Sequence, residues 1–116
     1  MSFATDQIFY RQVILPVTED NFMAVTSLVL NEIRQGGVTV PGEDLELIMS
    51  KNISLRDIYR IVALVFLNLA KDDLEMRGVF LDSLQFFLEK SKSSFTDIGS
   101  SVEEAYRLEL ELEHVS

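Results

Sequence analysis

Chemistry in this sequence has to be sought among carboxylates, because almost nothing else is supplied. The chain carries nineteen Asp and Glu residues, a single histidine and no cysteine. Disulfides, thiolate metal sites and a cysteine nucleophile are therefore excluded. The histidine, His114, follows Glu113. With no second His or Cys it can complete neither a transition-metal set nor a Ser-His-Asp or Cys-His arrangement, and it reads as an exposed side chain. Paired carboxylates can act as general acid and base, but only where a pocket holds two of them at a defined separation, and abundance alone signals no pocket. Glu43, Asp44 and Glu46 lack the spacing of a calcium loop. Gly36, Gly37 and Gly42 form neither GxxxxGK(S/T) nor GxGxxG, and serve better as a helix stop and a turn. No catalytic, cofactor-binding or metal-ligating residue is assigned, and a non-enzyme without a cofactor is expected.

One run has the rhythm of a nucleic-acid reader. EDLELIMSKN followed by ISLRDIYRIV spells a helix, a short turn and a second helix, as in helix-turn-helix modules. Ser54, Arg56, Tyr59 and Arg60 would then face DNA, with Lys51 on its backbone. Against this, the second helix becomes wholly apolar after Arg60, and the chain has a formal net charge of −9. Attraction to a phosphate backbone needs a basic surface, so nucleic acid is a disfavoured partner. The negative charge is concentrated at one end: residues 96–116 set Arg107 alone against Asp97, Glu103, Glu104, Glu109, Glu111 and Glu113. Such a segment is ordinarily a solvated face, and its sharper use is as a dock for a basic partner.

The elements that would position these groups are mostly helical. The chain has 116 residues, 47% of them hydrophobic and 25% charged, which fits one ordered domain spanning 1–116 and burying roughly two-thirds of its unfolded surface. Thr18 is the expected cap of a helix over 19–35, with Glu19 and Asp20 at its positive end and Gly36-Gly37 as the stop. Pro41-Gly42 precede a short helix over 43–50. Ser54 with Asp57 three residues on opens an apolar helix over 55–71. Asp72 or Asp73 is the expected cap of a helix over 73–91. The run SKSSFTDIGSS is a turn-rich connector, after which Ser101 and Glu104 begin a final helix over 102–114. Two segments carry a competing strand reading. QIFYRQVIL over 7–15 is β-branched and aromatic, and RLELELEHV over 107–115 alternates strictly, although Leu and Glu are both good helix formers. With 38–40 as a third strand the domain would be mixed. The favoured fold class is all-α: a compact bundle of about five helices around a central apolar helix, 55–71.

That central helix is apolar nearly all round. Projected at 100° per residue from Leu55, the polar residues Arg56, Asp57, Arg60, Asn68 and Lys71 share a sector about 120° wide, yet Leu64 and Leu67 fall inside it. The two leucines are thus expected either under the chain's own fold or against a second chain. In the next helix Leu74, Met76, Phe80, Leu81, Leu84, Phe87 and Leu88 form an arc wider than a surface helix needs, which motivates homodimerisation through 76–88. Glu75, Asp82 and Glu89 repeat every seven residues as an acidic edge.

The start MSFATDQ lacks the basic and apolar regions of a secretory signal, and no stretch approaches the ~20 apolar residues of a membrane span, so a cytoplasmic protein without a membrane role is expected. The function expected is that of a non-enzymatic, homo-oligomeric protein–protein interaction module, such as an acidic adaptor, regulator or assembly chaperone. Its contacts would come from Leu64, Leu67, Phe80 and Phe87, or from Glu75, Asp82 and Glu89. Three alternatives stand beside it. They are an acidic inhibitor or nucleic-acid mimic that binds a basic protein surface, a helix-turn-helix DNA-binding regulator, and a small-molecule carrier with a cavity between its two apolar helices.

Overall fold

The computed structural model describes residues 16–50 and 52–115. Its elements are α1 (Phe22–Arg34), α2 (Gly42–Met49), α3 (Leu55–Asp72), α4 (Arg77–Ser91), a 3-10 turn (Phe95–Ile98) and α5 (Val102–Val115). No strand occurs among the described residues. This is the all-helical bundle the patterning predicts, with α3 at its centre. The strand reading of 107–115 is overturned: those residues lie in α5, because Ala105, Leu108 and Leu112 make a buried stripe of helical period that outweighs the alternation. Residues 38–40 form a connection and not a strand. The segment 7–15 lies outside the described residues.

Local chemistry accounts for most helix ends. The Ser54 hydroxyl accepts the Asp57 N–H at 3.1 Å and starts α3. Ser101 does the same for Glu104 at 3.1 Å at the start of α5. After α1, Gly36 takes a φ of +80°, and the Gly37 N–H returns to the Glu32 carbonyl at 2.9 Å, a left-handed termination that glycine adopts without steric cost.

Two expected starts are displaced. Helix α1 begins at Phe22, after a turn in which the Thr18 N–H donates to Asn21 Oδ1 at 2.7 Å. Glu19 and Asp20 sit in that turn instead of the first helical turn. Helix α4 begins at Arg77 and not near 73, because Asp73 ends α3 and its carboxylate accepts the Met76 N–H at 3.1 Å.

The connector after α4 is built, not slack. Lys92 turns the chain at φ +53°, and Ser94 and Asp97 cap the 3-10 turn reciprocally. The Asp97 carboxyl is held below its ordinary range by the bonds it accepts from the Ser94 backbone and hydroxyl. The turn is anchored by Phe95 and Ile98, both buried.

The buried apolar side chains form one contiguous core that draws on every helix and on the 3-10 turn. The most extensive pairing is α3 with α4. There the rings of Phe66 and Phe87 stack at 5.7 Å, tilted by only 12°, with Phe80 at 6.3 Å from Phe66. Ion pairs tie the other elements to this pair: Arg60 to Asp44 of α2 at 3.0 Å, Lys71 to Glu104 of α5 at 2.9 Å, and Lys90 to Glu19 at 2.9 Å.

Candidate partner-binding surface

The four apolar side chains marked for intermolecular contact are interior. Leu64 is 9% exposed, Leu67 1%, and Phe80 and Phe87 are fully buried. Leu64 and Leu67 lie on the floor of a groove of about 460 Å³, with Asp44, Arg60, Lys71 and Ile98 among its walls. The apolar midsection of that sector is therefore covered by α2 and the 3-10 turn of the same chain, while Arg56, Asn68 and Lys71 stay exposed. Likewise the wide arc packs on α3 from Phe80 onward, with Phe80, Leu81, Leu84, Phe87 and Leu88 all buried, whereas Leu74 and Met76 precede α4 and Leu74 is 78% exposed. These four residues are corrected from candidate contact residues to core. The space between the two apolar helices, where a carrier would hold its ligand, is occupied by the stacked rings of Phe66 and Phe87.

The acidic edge is reorganised too. Glu75 precedes the first residue of α4, so only Asp82 and Glu89 lie on that helix. All three are exposed. Glu89, however, is brought to a second group of acids that sequence spacing does not connect with it. Together with Glu109 and Glu113 of α5 it lines a groove of about 500 Å³ floored by Leu88, Phe95 and Leu112.

One exposed apolar stripe of three residues at helical spacing escapes the sequence reading. Val102, Tyr106 and Leu110 recur every fourth residue along α5 and are 79%, 64% and 40% exposed. At 100° per residue they centre roughly 130° round the helix from the buried stripe of Ala105, Leu108 and Leu112. Alternation in RLELELEHV masks this arrangement, because it draws attention to a period of two where two separate stripes of period 3.6 are interleaved. The i, i+4, i+8 spacing was the available signal.

The edge of α5 that faces the bundle is neutralised internally. Arg77 grips Glu111 with two parallel hydrogen bonds, at 2.7 and 2.9 Å, and Lys71 holds Glu104, which also accepts the Ser100 hydroxyl at 3.0 Å. These bonds keep both carboxyls below the ordinary glutamate range, through Arg77 for Glu111 and through Lys71 and then Ser100 for Glu104. In turn, the Glu111 carboxylate raises the Arg77 guanidinium above its ordinary value. Outward, α5 presents the Val102–Tyr106–Leu110 stripe with Glu103, Glu109 and Glu113 beside it, all exposed.

The residues of the helix-turn-helix reading are engaged within the chain. Ser54 caps α3, Arg56 Nε donates to the Ser91 carbonyl at 3.0 Å, and Arg60 pairs with Asp44 and Asp57. The Tyr59 hydroxyl lies 3.6 Å from the Met23 sulfur. The helix that would enter a groove of DNA is the central helix of the fold. Lys51 and the His114 side chain lie outside the described residues. Among the described residues no group of three or more His, Cys, Asp or Glu is placed to hold a metal ion, and no helix is long and apolar enough to cross a membrane.

No protein-family model, curated protein or solved structure matches this chain.

Proposed function

We propose that this protein is a non-enzymatic interaction module that binds another protein through the outer face of α5. The observation that supports this reading is the exposed stripe of Val102, Tyr106 and Leu110. Apolar side chains held at one helical spacing and left open to water gain free energy when a partner covers them, and tyrosine is among the side chains that most often anchor an interface. A cytoplasmic setting is part of the same reading, in keeping with a cysteine-free sequence.

The homo-oligomeric version has less in its favour. The 76–88 arc is spent on the chain's own core. A homodimer through α5 would bring Glu103, Glu109 and Glu113 of two copies together, and like charges across an interface are unfavourable. The partner is thus a different chain. A second reading, an acidic inhibitor or mimic directed at a basic protein surface, is favoured by the convergence of Glu89, Glu109 and Glu113 on one groove.

Affinity capture from native extract, at low and at high salt, tests both readings. The native chain is expected to retain a partner that Tyr106→Glu/Leu110→Glu does not. Retention at high salt assigns the binding to the apolar stripe, whereas release assigns it to the carboxylates. Capture of the same proteins by native and variant chains at both salt concentrations would overturn the proposal.

A further inference from the structure

We infer that the groove between α4 and α5 receives a basic amphipathic helix of a partner protein. This rests on the interaction-module reading and names the chemistry of the partner. The floor of the groove is apolar, made by Leu88 of α4, Phe95 of the 3-10 turn and Leu112 of α5. Its walls are acidic on both sides, with Glu89 on α4 facing Glu109 and Glu113 on α5, and among the described residues Lys92 is its one cationic lining residue. Glu89 and Glu109 make no ion pair among the described residues, in contrast to Glu104 and Glu111 on the opposite edge of α5, whose charges are already matched by Lys71 and Arg77. Glu104 and Glu111 are therefore neutralised by the fold, and Glu89 and Glu109 are left for an external cation.

The occupant follows from complementarity. An apolar floor between acidic walls matches a helix whose Leu, Ile or Phe side chains point down at i, i+3 and i+4 while Lys or Arg flank them on both sides. The volume, about 500 Å³, suits a few such side chains and falls within the ~300–1,000 Å³ of ordinary binding clefts. Pairing by strand addition has no counterpart here, since no strand edge exists among the described residues. A second copy of the chain is a poor occupant, because its net charge of −9 opposes acidic walls. The exposed stripe adjoins this groove: on the helical wheel Glu109, at about 340° from Val102, borders the stripe, and Glu113, at about 20°, falls within its angular span.

The test uses the full chain and three synthetic peptides: an amphipathic helix of Leu and Lys, the same pattern with Glu for Lys, and an oligolysine of equal positive charge. The Leu/Lys helix is expected to bind, with at least ~10-fold higher affinity than either comparator, and Glu89→Lys/Glu109→Lys is expected to weaken it by ~10-fold or more. The control Glu46→Lys/Asp72→Lys makes the same change in net charge away from the groove and is expected to change affinity by less than about 2-fold. Any one of three results overturns the inference: no binding of the Leu/Lys helix, equal binding of oligolysine, or equal loss in the control variant. If the inference fails while Tyr106→Glu/Leu110→Glu still abolishes partner capture, the interaction-module reading survives and only the groove is discarded.

Discussion

Arg77, the first residue of α4, and Glu111, two turns into α5, are joined by a fork of two hydrogen bonds, Nε to Oε1 at 2.7 Å and Nη2 to Oε2 at 2.9 Å. The same guanidinium donates to the Ala70 carbonyl near the end of α3 at 3.2 Å. Three helices thus meet at one side chain, which adds to the Lys71–Glu104 pair and the buried Ala105, Leu108 and Leu112 in holding α5. Planar, bidentate geometry of this kind is stronger than a single contact between exposed charges. Arg77→Ala is expected to cost about 1 kcal/mol, measured by urea unfolding, and to raise hydrogen exchange in α5 before the rest of the fold.

Acid should loosen the same helix. Glu104 and Glu111 both ionise more readily in the fold than in the unfolded chain. Their contribution to stability is complete above the unfolded carboxylate range, about 4.3 for glutamate. It is lost as pH falls through their lower folded values. Native protein is expected to lose stability below about pH 4, and Glu104→Gln/Glu111→Gln to be less stable at neutral pH with a flatter acid dependence. Unfolding curves across the acid range decide this, and an unchanged slope in the variant would refute it.

The stacked pair Phe66 and Phe87 sits at the centre of the α3–α4 pairing. Phe87→Ala is expected to destabilise the chain by about 3–5 kcal/mol through lost burial and the cavity left behind. Because Phe87 belongs to the chain's own core, the loss should not depend on protein concentration. A destabilisation that grows on dilution would return Phe87 to an intermolecular interface.

Ser54 caps the central helix with its side chain. Ser54→Ala is expected to cost about 1 kcal/mol in thermal or urea unfolding, with no change in the core contacts seen by near-ultraviolet dichroism. Ser54→Asp should restore most of the loss, since aspartate caps as well as serine does.

On α5, Tyr106→Glu should leave stability within about 0.5 kcal/mol of native, as expected of an exposed position without special backbone geometry. Partner binding is expected to fall sharply in the same variant. A large loss of stability would instead place Tyr106 in the fold and remove it from the binding surface.

Much of this structure was legible along the chain. Ser54 with Asp57, Ser101 with Glu104 and the Gly36-Gly37 stop act within a few residues of themselves, so their types and spacing are enough to specify the helix ends they make. The poverty of chemistry is equally a property of the sequence: one histidine and no cysteine exclude the common thiol and histidine-based sites. Where local reasoning misplaced an end, a neighbour competed for the same group, as when Asp73 closed α3 and delayed the start of α4 to Arg77.

Which apolar face meets water was decided only in three dimensions. Leu64, Leu67, Phe80 and Phe87 carry the same pattern whether a second chain or their own covers them, because burial by the hydrophobic effect is non-directional and depends on residues distant in sequence. Packing of α2, α4 and the 3-10 turn on α3 settled that they are core. The same packing brought Glu89 to Glu109 and Glu113 across a groove, and left Val102, Tyr106 and Leu110 open on α5. Composition and local spacing therefore determined a helical, acidic chain without evident catalytic groups. Tertiary structure alone determined that Leu64 and Leu67 of the central helix are closed off while Val102, Tyr106 and Leu110 of the last helix stay open.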